Sequence, residues 1–194
     1  MDYQVMDPQQ LPGTIASAQA GSGQAYQDLL EAYGPRLYGY FMRATGNHHD
    51  AEDLLGELGL RLVRRLGEYD HLGRFEPWLF RVAANLVRDR IRRRRVRPGL
   101  TDAPQESDEM PLDSQAASDA PPVDAKLIAE EAHERVDAAL ARLDAKTREM
   151  ILLRHFAQLS FREIAEMEGC PLGTVLAKVH RGLRKLRELI EHDA

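Results

Sequence analysis

The chain reads as an all-α protein: two small helical domains joined by a flexible acidic linker, the second a helix-turn-helix domain. Three observations predict this. Large apolar residues recur at three- and four-residue steps on both sides of the middle of the chain, the spacing of amphipathic helices. Strand signals are missing, with no Asn-Gly or Asp-Gly hairpin turn and no sustained alternation. Between the helical stretches, residues 98–125 carry seven acids, no base and five of the ten prolines. That segment holds too little apolar surface to offset the entropy of ordering.

Each element can be placed in order. Residues 1–24, rich in Gln, Ala, Gly and Ser, read as a flexible leader. Tyr26, Leu29, Leu30, Tyr33, Leu37, Tyr40 and Phe41 mark a first helix. A second runs from Asp50 to Gly67 along Leu54, Leu55, Leu58, Leu62 and Leu66, with Asp50 as its expected cap. A third runs from Trp78 to Arg95, apolar in its first turns and almost pure arginine in its last. The first domain is thus 25–97, the acidic linker 98–125 and the second domain 126–194. Leu127–Leu143 and Ala145–Phe156 predict two further helices. Ser160 and Glu163 stand at capping-box spacing, and Leu159 and Ile164 are placed as a hydrophobic staple. The helix they start runs to Glu168, where Gly169 suits a left-handed cap. A last helix follows from about Leu172 to Glu191, with Val175, Val179, Leu183, Leu186 and Ile190 inward. A short capped helix, a tight turn and a longer basic helix make a helix-turn-helix pattern.

Composition bounds the function. The 194 residues are 43% hydrophobic and 29% charged, with a formal net charge of −5. The single cysteine, Cys170, excludes an intramolecular disulfide. No apolar run approaches the ~18 residues that span a membrane. The start of the chain lacks the charged and apolar regions of a secretory signal. A cytoplasmic protein without membrane insertion is expected. The charge is unevenly spread: residues 1–97 are net +2, residues 98–125 net −7 and residues 126–194 neutral.

Chemistry concentrates in two basic elements. Seven arginines (Arg88, Arg90, Arg92, Arg93, Arg94, Arg95, Arg97) fall within ten residues, opposed in that stretch only by Asp89. A helix end needs one or two cations to complement its dipole; seven point to a polyanion, whose phosphates release counterions on contact. Lys178, Arg181, Arg184, Lys185 and Arg187 have no acidic neighbour between Thr174 and Glu188, and Lys178, Arg181 and Lys185 share a helix face. Such a face after a helix-turn-helix turn enters a major groove. Tyr69, Phe75, Trp78 and Phe80 precede the arginine tract. Phe80, and with less force Trp78, read as core, whereas Tyr69 in the polar loop Gly67–Gly73 is expected to be exposed and able to stack on a base. Enzyme signatures are missing: His48-His49 and Cys170 lack partners at ligand or nucleophile spacing, and no Gly-rich phosphate loop occurs. No cofactor, metal or small-molecule substrate is expected.

These residues resemble a known family. The chain is similar to bacterial RNA polymerase sigma factors of the extracytoplasmic-function (ECF) group. Asp50-Ala-Glu-Asp-Leu-Leu resembles that family's polymerase-clamp helix, Phe75 to Arg93 its melting and −10 helix, and Leu159 to Leu186 its −35-reading helix-turn-helix. The resemblance covers roughly residues 25–97 and 127–191. It implies core RNA polymerase (clamp and flap) and promoter DNA as partners, and an anti-sigma factor is typical of the family. It implies polymerase contacts at Asp50, Asp53, Leu54, Glu57 and Arg61. It implies −10 contacts at Tyr69, Trp78, Arg81, Asn85, Arg88 and Arg92, with Asn85 reading a flipped base held by the loop Glu68–Arg74. For the −35 element it implies Arg162, Thr174, Lys178, His180, Arg181 and Arg184. The acidic linker is expected to thread a basic polymerase channel. The sequence departs from the family at Gly56 and Gly59, which remove side chains from the clamp face, and at Leu176-Ala177, which remove two base contacts. Altered promoter preference is the expected result. Two other classes compete: a stand-alone helix-turn-helix regulator, and, far behind, a metal nuclease using Asp50, Glu52 and Asp53.

Overall fold

The computed structural model describes residues 6–70, 73–96 and 123–192, with side chains described for 6–70, 73–94 and 131–192. The described elements are helical: α1 (Leu11–Gln19), α2 (Gly23–Thr45), α3 (His48–Arg65), a 3-10 turn (Leu66–Glu68), α4 (Phe75–Val96), α5 (Val123–Ala141), α6 (Ala145–Phe156), α7 (Phe161–Glu168) and α8 (Leu172–His192). The expected linker lies almost entirely outside the described residues. Its last three positions belong to α5, which starts at Val123.

The leader is not uniformly flexible. Residues 11–19 form α1, which buries Ile15 and Ala18 in the core of the first unit. The Gln19 amide donates to the carbonyls of Leu66 (2.9 Å) and Tyr69 (2.7 Å). Two large apolar residues, Leu11 and Ile15, amid small ones are a weak periodic signal, so the composition reads as loop although the helix docks. Ser22 then caps α2 by accepting from the Ala25 N–H.

Helices α2, α3 and α4 bury Leu29, Tyr33, Leu37, Tyr40, Phe41, Leu54, Leu58, Leu62, Leu79, Phe80 and Leu86 against one another. Edge-on ring pairs knit α2 to α4, Tyr33 with Phe75 at 5.4 Å and Tyr40 with Phe80 at 5.8 Å, the arrangement aromatic quadrupoles favour. The α3 cap differs from expectation. Asn47 caps it, accepting from the Asp50 N–H at 2.9 Å. Asp50 lies within the first turn, buried, where its carboxylate is used by α4.

The second unit follows the sequence closely. Asp144 caps α6. Ser160 and Glu163 form the full capping box of α7, and Leu159 and Ile164 are both buried beneath it. Gly169 ends α7 in the left-handed region (φ 60°), where only glycine sits without strain. Val175 and Val179 hold α8 on this core, but Leu183 is exposed, which corrects its expected inward place. The reason is Gly182. It is the buried α8 residue there, and a Cβ on it would overlap Thr147 Cγ2 and lie 2.8 Å from Ile151 Cδ1 of α6. The α6–α8 crossing is close because that side chain is missing, and the neighbouring Leu183 is turned outward.

The two units pack on each other. Arg36 of α2, only 3% exposed, donates through Nε and Nη2 to the Phe156 carbonyl at the end of α6 (3.2 and 2.5 Å). Arg43 pairs with Asp137 of α5 at 3.0 Å and lies over the Phe156 ring.

Two stability outcomes follow from this packing. Gly182→Ala is expected to destabilise the second unit by ~1–3 kcal/mol, the usual cost of overpacking, read as a lower urea midpoint. Asp144→Ala should cost about 1 kcal/mol as a lost cap. The Thr147 hydroxyl and N–H hold the Asp144 carboxyl below its ordinary value of 3.8. Its contribution is therefore full above that pH and is lost as the pH falls through the lower folded value. Denaturation of wild type and variant at pH 7 and below pH 3 should show the gap closing in acid.

Candidate nucleic-acid interface

The arginine tract is not bare. Arg90 reaches Asp50 (3.3 Å) and Asp53 (2.9 Å), and Arg94 reaches Asp50 (2.6 Å). Arg93 pairs with Glu57 at 3.5 Å, Arg61 with Glu57 at 2.9 Å and Arg92 with Asp89 at 3.0 Å. Helix α3 thus lays its acids along one flank of α4. The Arg90 hydrogen bond holds the Asp53 carboxyl below its ordinary value, against a small opposing effect of burial. Counting charge along the chain missed this, because the neutralising acids lie some 37 residues upstream of the arginines they meet. Arg95 and Arg97 lie outside the described side chains.

The remaining face of α4 carries Arg81, Asn85, Arg88 and Arg92. Arg81 and Asn85 are exposed, and Arg92 is 76% exposed at its side chain. Arg88 donates to Asn85 Oδ1 at 3.1 Å and pairs across the units with Glu149 of α6 (2.8 Å) and Glu168 of α7. Lys146 also meets Glu168. Neither Glu149 nor Glu168 carries any local sequence signal for this role. Burial would push the Glu163 carboxyl up. The Ser160 hydroxyl and N–H, with Arg74 and Arg81 beyond them, bring it below its ordinary value instead.

Three expected contacts are placed otherwise. Tyr69 is 8% exposed, its ring 4.7 Å from Trp78 and 5.7 Å from Phe75. It is packed into an aromatic cluster rather than held out in the loop, because three neighbouring rings gain more from one another than from water. Trp78 keeps a partly open edge of that cluster. Leu54 is fully buried in the helical core and Asp50 is enclosed with its arginines, so neither faces outward from α3. Outward instead are Glu57 and Arg61 in part, and an apolar pair the sequence reading passed over, Leu60 (63% exposed) and Val63 (56%). Gly56 lies one turn before Leu60 with open space above it. Their signal was apolar side chains off the buried stripe. The pairing of Asp50 and Asp53 with α4 arginines also leaves no open acidic cluster of the kind a nuclease metal needs.

The helix-turn-helix presents its expected residues together. Arg162 at the start of α7 and Thr174, His180, Arg181 and Arg184 on α8 are exposed, opposite the buried stripe Val175, Val179 and Gly182. Lys178 is half-buried, 3.8 Å from Asp144, and Arg181 donates to the Ala177 carbonyl at 3.2 Å.

Residues 29–97 match the Sigma-70 region 2 family and residues 133–186 the Sigma-70, region 4 family. The RNA polymerase sigma factor CarQ of Myxococcus xanthus is 34% identical, over 88% of this chain and 91% of that protein. The ECF RNA polymerase sigma factor SigW of Bacillus subtilis is 29% identical, over 90% of this chain and 93% of that one. The chain belongs to the ECF sigma factor family. Among solved structures, the fold matches CnrH in complex with the cytosolic domain of CnrY (TM-score 0.65, 23% identity, covering 93% of this chain and 97% of that one). This sigma factor therefore directs promoter recognition by RNA polymerase, and the reading as a stand-alone helix-turn-helix regulator is not favoured. Region 2 is the unit of α2 to α4, and region 4 is the unit that ends in α8. No described helix is long and apolar enough to cross a membrane.

The buried and exposed halves of the α3–α4 ion network should behave differently. Asp50→Ala leaves Arg90 and Arg94 without their enclosed partner and is expected to cost about 3 kcal/mol, the low end for breaking a buried pair, because Arg90 keeps Asp53. Asp53→Ala, at a half-exposed carboxylate, should cost under about 1 kcal/mol. Urea titration of the two variants side by side measures the difference.

Proposed function

We propose that this sigma factor divides its contacts among three faces. Helix α4 takes the −10 region, with Asn85 hydrogen-bonding a base edge and Arg81, Arg88 and Arg92 contacting the strand. Trp78 forms the wall of the base pocket. An amide both donates and accepts, which suits base reading, and a flipped base needs a shaped pocket beside it. Tyr69 supports that wall from beneath instead of stacking on the base. Helix α8 takes the −35 element through Thr174, Lys178, His180 and Arg181, with Arg162 and Arg184 on phosphates. The polymerase clamp meets α3 at Glu57, Arg61 and the edge of Asp53, around the exposed stripe of Gly56, Leu60 and Val63. Leu54 and Asp50 shape that face from inside.

One observation carries this reading. The region 2 match ends on the arginine helix and the region 4 match on the capped helix-turn-helix, in chain order. The protein acts by binding and melting DNA with polymerase, without catalytic residues, in the cytoplasm. An anti-sigma factor is its expected regulator; another structure of this fold is that of the sigma factor RpoE in complex with the anti-sigma factor NepR from Bartonella quintana.

The test is reconstitution with core polymerase on a randomised promoter library, with transcript starts sequenced. Asn85→Ala should flatten preference at one −10 position by about 1–3 kcal/mol while core binding is kept. Unchanged base preference would remove Asn85 from the site.

A further inference from the structure

Both ion-pair partners described for Arg88 come from the other unit, Glu149 of α6 and Glu168 of α7. We propose that these two carboxylates form an intramolecular clasp that stands in for nucleic-acid phosphate at Arg88, closing the free protein to single-stranded DNA. The inference rests on the reading of α4 as the −10 helix and adds its regulation.

The geometry is that of a substitute ligand. Glu168 is fully buried at its side chain and is held by Arg88 and Lys146. A carboxylate so enclosed requires those cations. Glu149 lies 2.8 Å from Nε of the same guanidinium that Glu168 meets at Nη2, so carboxylates from two helices crowd the edge of Arg88 that a phosphate would use. Asn85, one turn before Arg88, has its Oδ1 occupied by the Arg88 Nη1. Two turns before Arg88, Arg81 faces the field of Glu163 at the start of α7, as does Arg74. Three acids of the second unit thus oppose Arg81 and Arg88 on α4 and Arg74 just before its start.

Such a clasp opens by competition. A phosphate arriving at Arg88 replaces one anion by another, and the released carboxylates regain water. The first unit keeps its own structure when the units part, because Arg36 retains Glu76 of α4 at 3.1 Å after losing the Phe156 carbonyl. The α3 acids cannot take over at Arg88, since they are spent on Arg90, Arg93 and Arg94.

The experiment uses the full chain in 0.1 M KCl with two readouts. One is fluorescence anisotropy with a fluorescein-labelled oligo-dT 20-mer; the other is small-angle X-ray scattering without DNA. E149Q/E168Q is expected to bind oligo-dT at least fivefold more tightly than wild type. E166Q/E188Q, which changes the net charge equally at exposed carboxylates outside the clasp, should stay within twofold. The wild-type radius of gyration should lie near the ~16 Å of a compact chain of this length, and E149Q/E168Q should exceed it by at least a tenth with unchanged helical circular dichroism. No expansion overturns the clasp. Expansion without tighter oligo-dT binding overturns the masking and with it the DNA reading of Arg88. If E149Q/E168Q loses helix, wild type decides: 0.6 M KCl must expand it, and an unchanged radius overturns the proposal.

Discussion

A guanidinium at the centre of the molecule constrains everything around it. Arg36 is almost fully buried, and a buried charge is tolerated only where hydrogen bonds and counter-charge replace water. Its three partners come from two helices: Glu76 and the Phe80 ring on α4, and the Phe156 carbonyl at the end of α6. The last is a helix C-terminus, where unsatisfied carbonyls carry partial negative charge. One side chain therefore sets the approach of α4 to α2 and the place where the second unit docks. Other contacts between the units, such as Arg43 with Asp137, lie along the same edge.

Electrostatics then sorts the arginines of α4 by neighbour. Those turned toward α3 are matched by Asp50, Asp53 and Glu57 within the unit. Arg88, turned away, is matched only when the second unit is docked. A helix that reads as uniformly basic is thus divided into a structural flank and a face whose charge depends on where the other unit sits. The same division explains why the acidic start of α3 serves two purposes. Its buried carboxylate holds α4, while its outer residues remain for a partner.

Much of this was legible in the sequence, and the exceptions share a cause. The capping box at Ser160 and Glu163, the boundaries of α6 and the basic face of α8 are local patterns, fixed by residues within a turn or two of each other. Helix α1 was missed because its stability comes from Ile15 and Ala18 meeting a core made elsewhere, not from its own periodicity. Asp50 was misplaced as a cap because Asn47 performs that role equally well and frees the acid for α4. Tyr69 was read from its polar neighbours in sequence, while Trp78 and Phe75 are its neighbours in space. Leu183 faces outward because Gly182 lets α6 and α8 close together, a contact no heptad pattern encodes. At the site, the residue types were visible and their intramolecular partners were not, since pairings such as Arg90 with Asp53 and Arg88 with Glu168 span long stretches of chain.

The amide of Gln19 has a mechanical side. It grips two carbonyls, those of Leu66 and Tyr69, at the mouth of the loop that leads into α4. The last residue of the first helix is therefore a tether on that loop. A displacement of α1 therefore pulls directly on the backbone that leads toward α4. A segment that looks like a disposable leader is in this sense the handle of the loop.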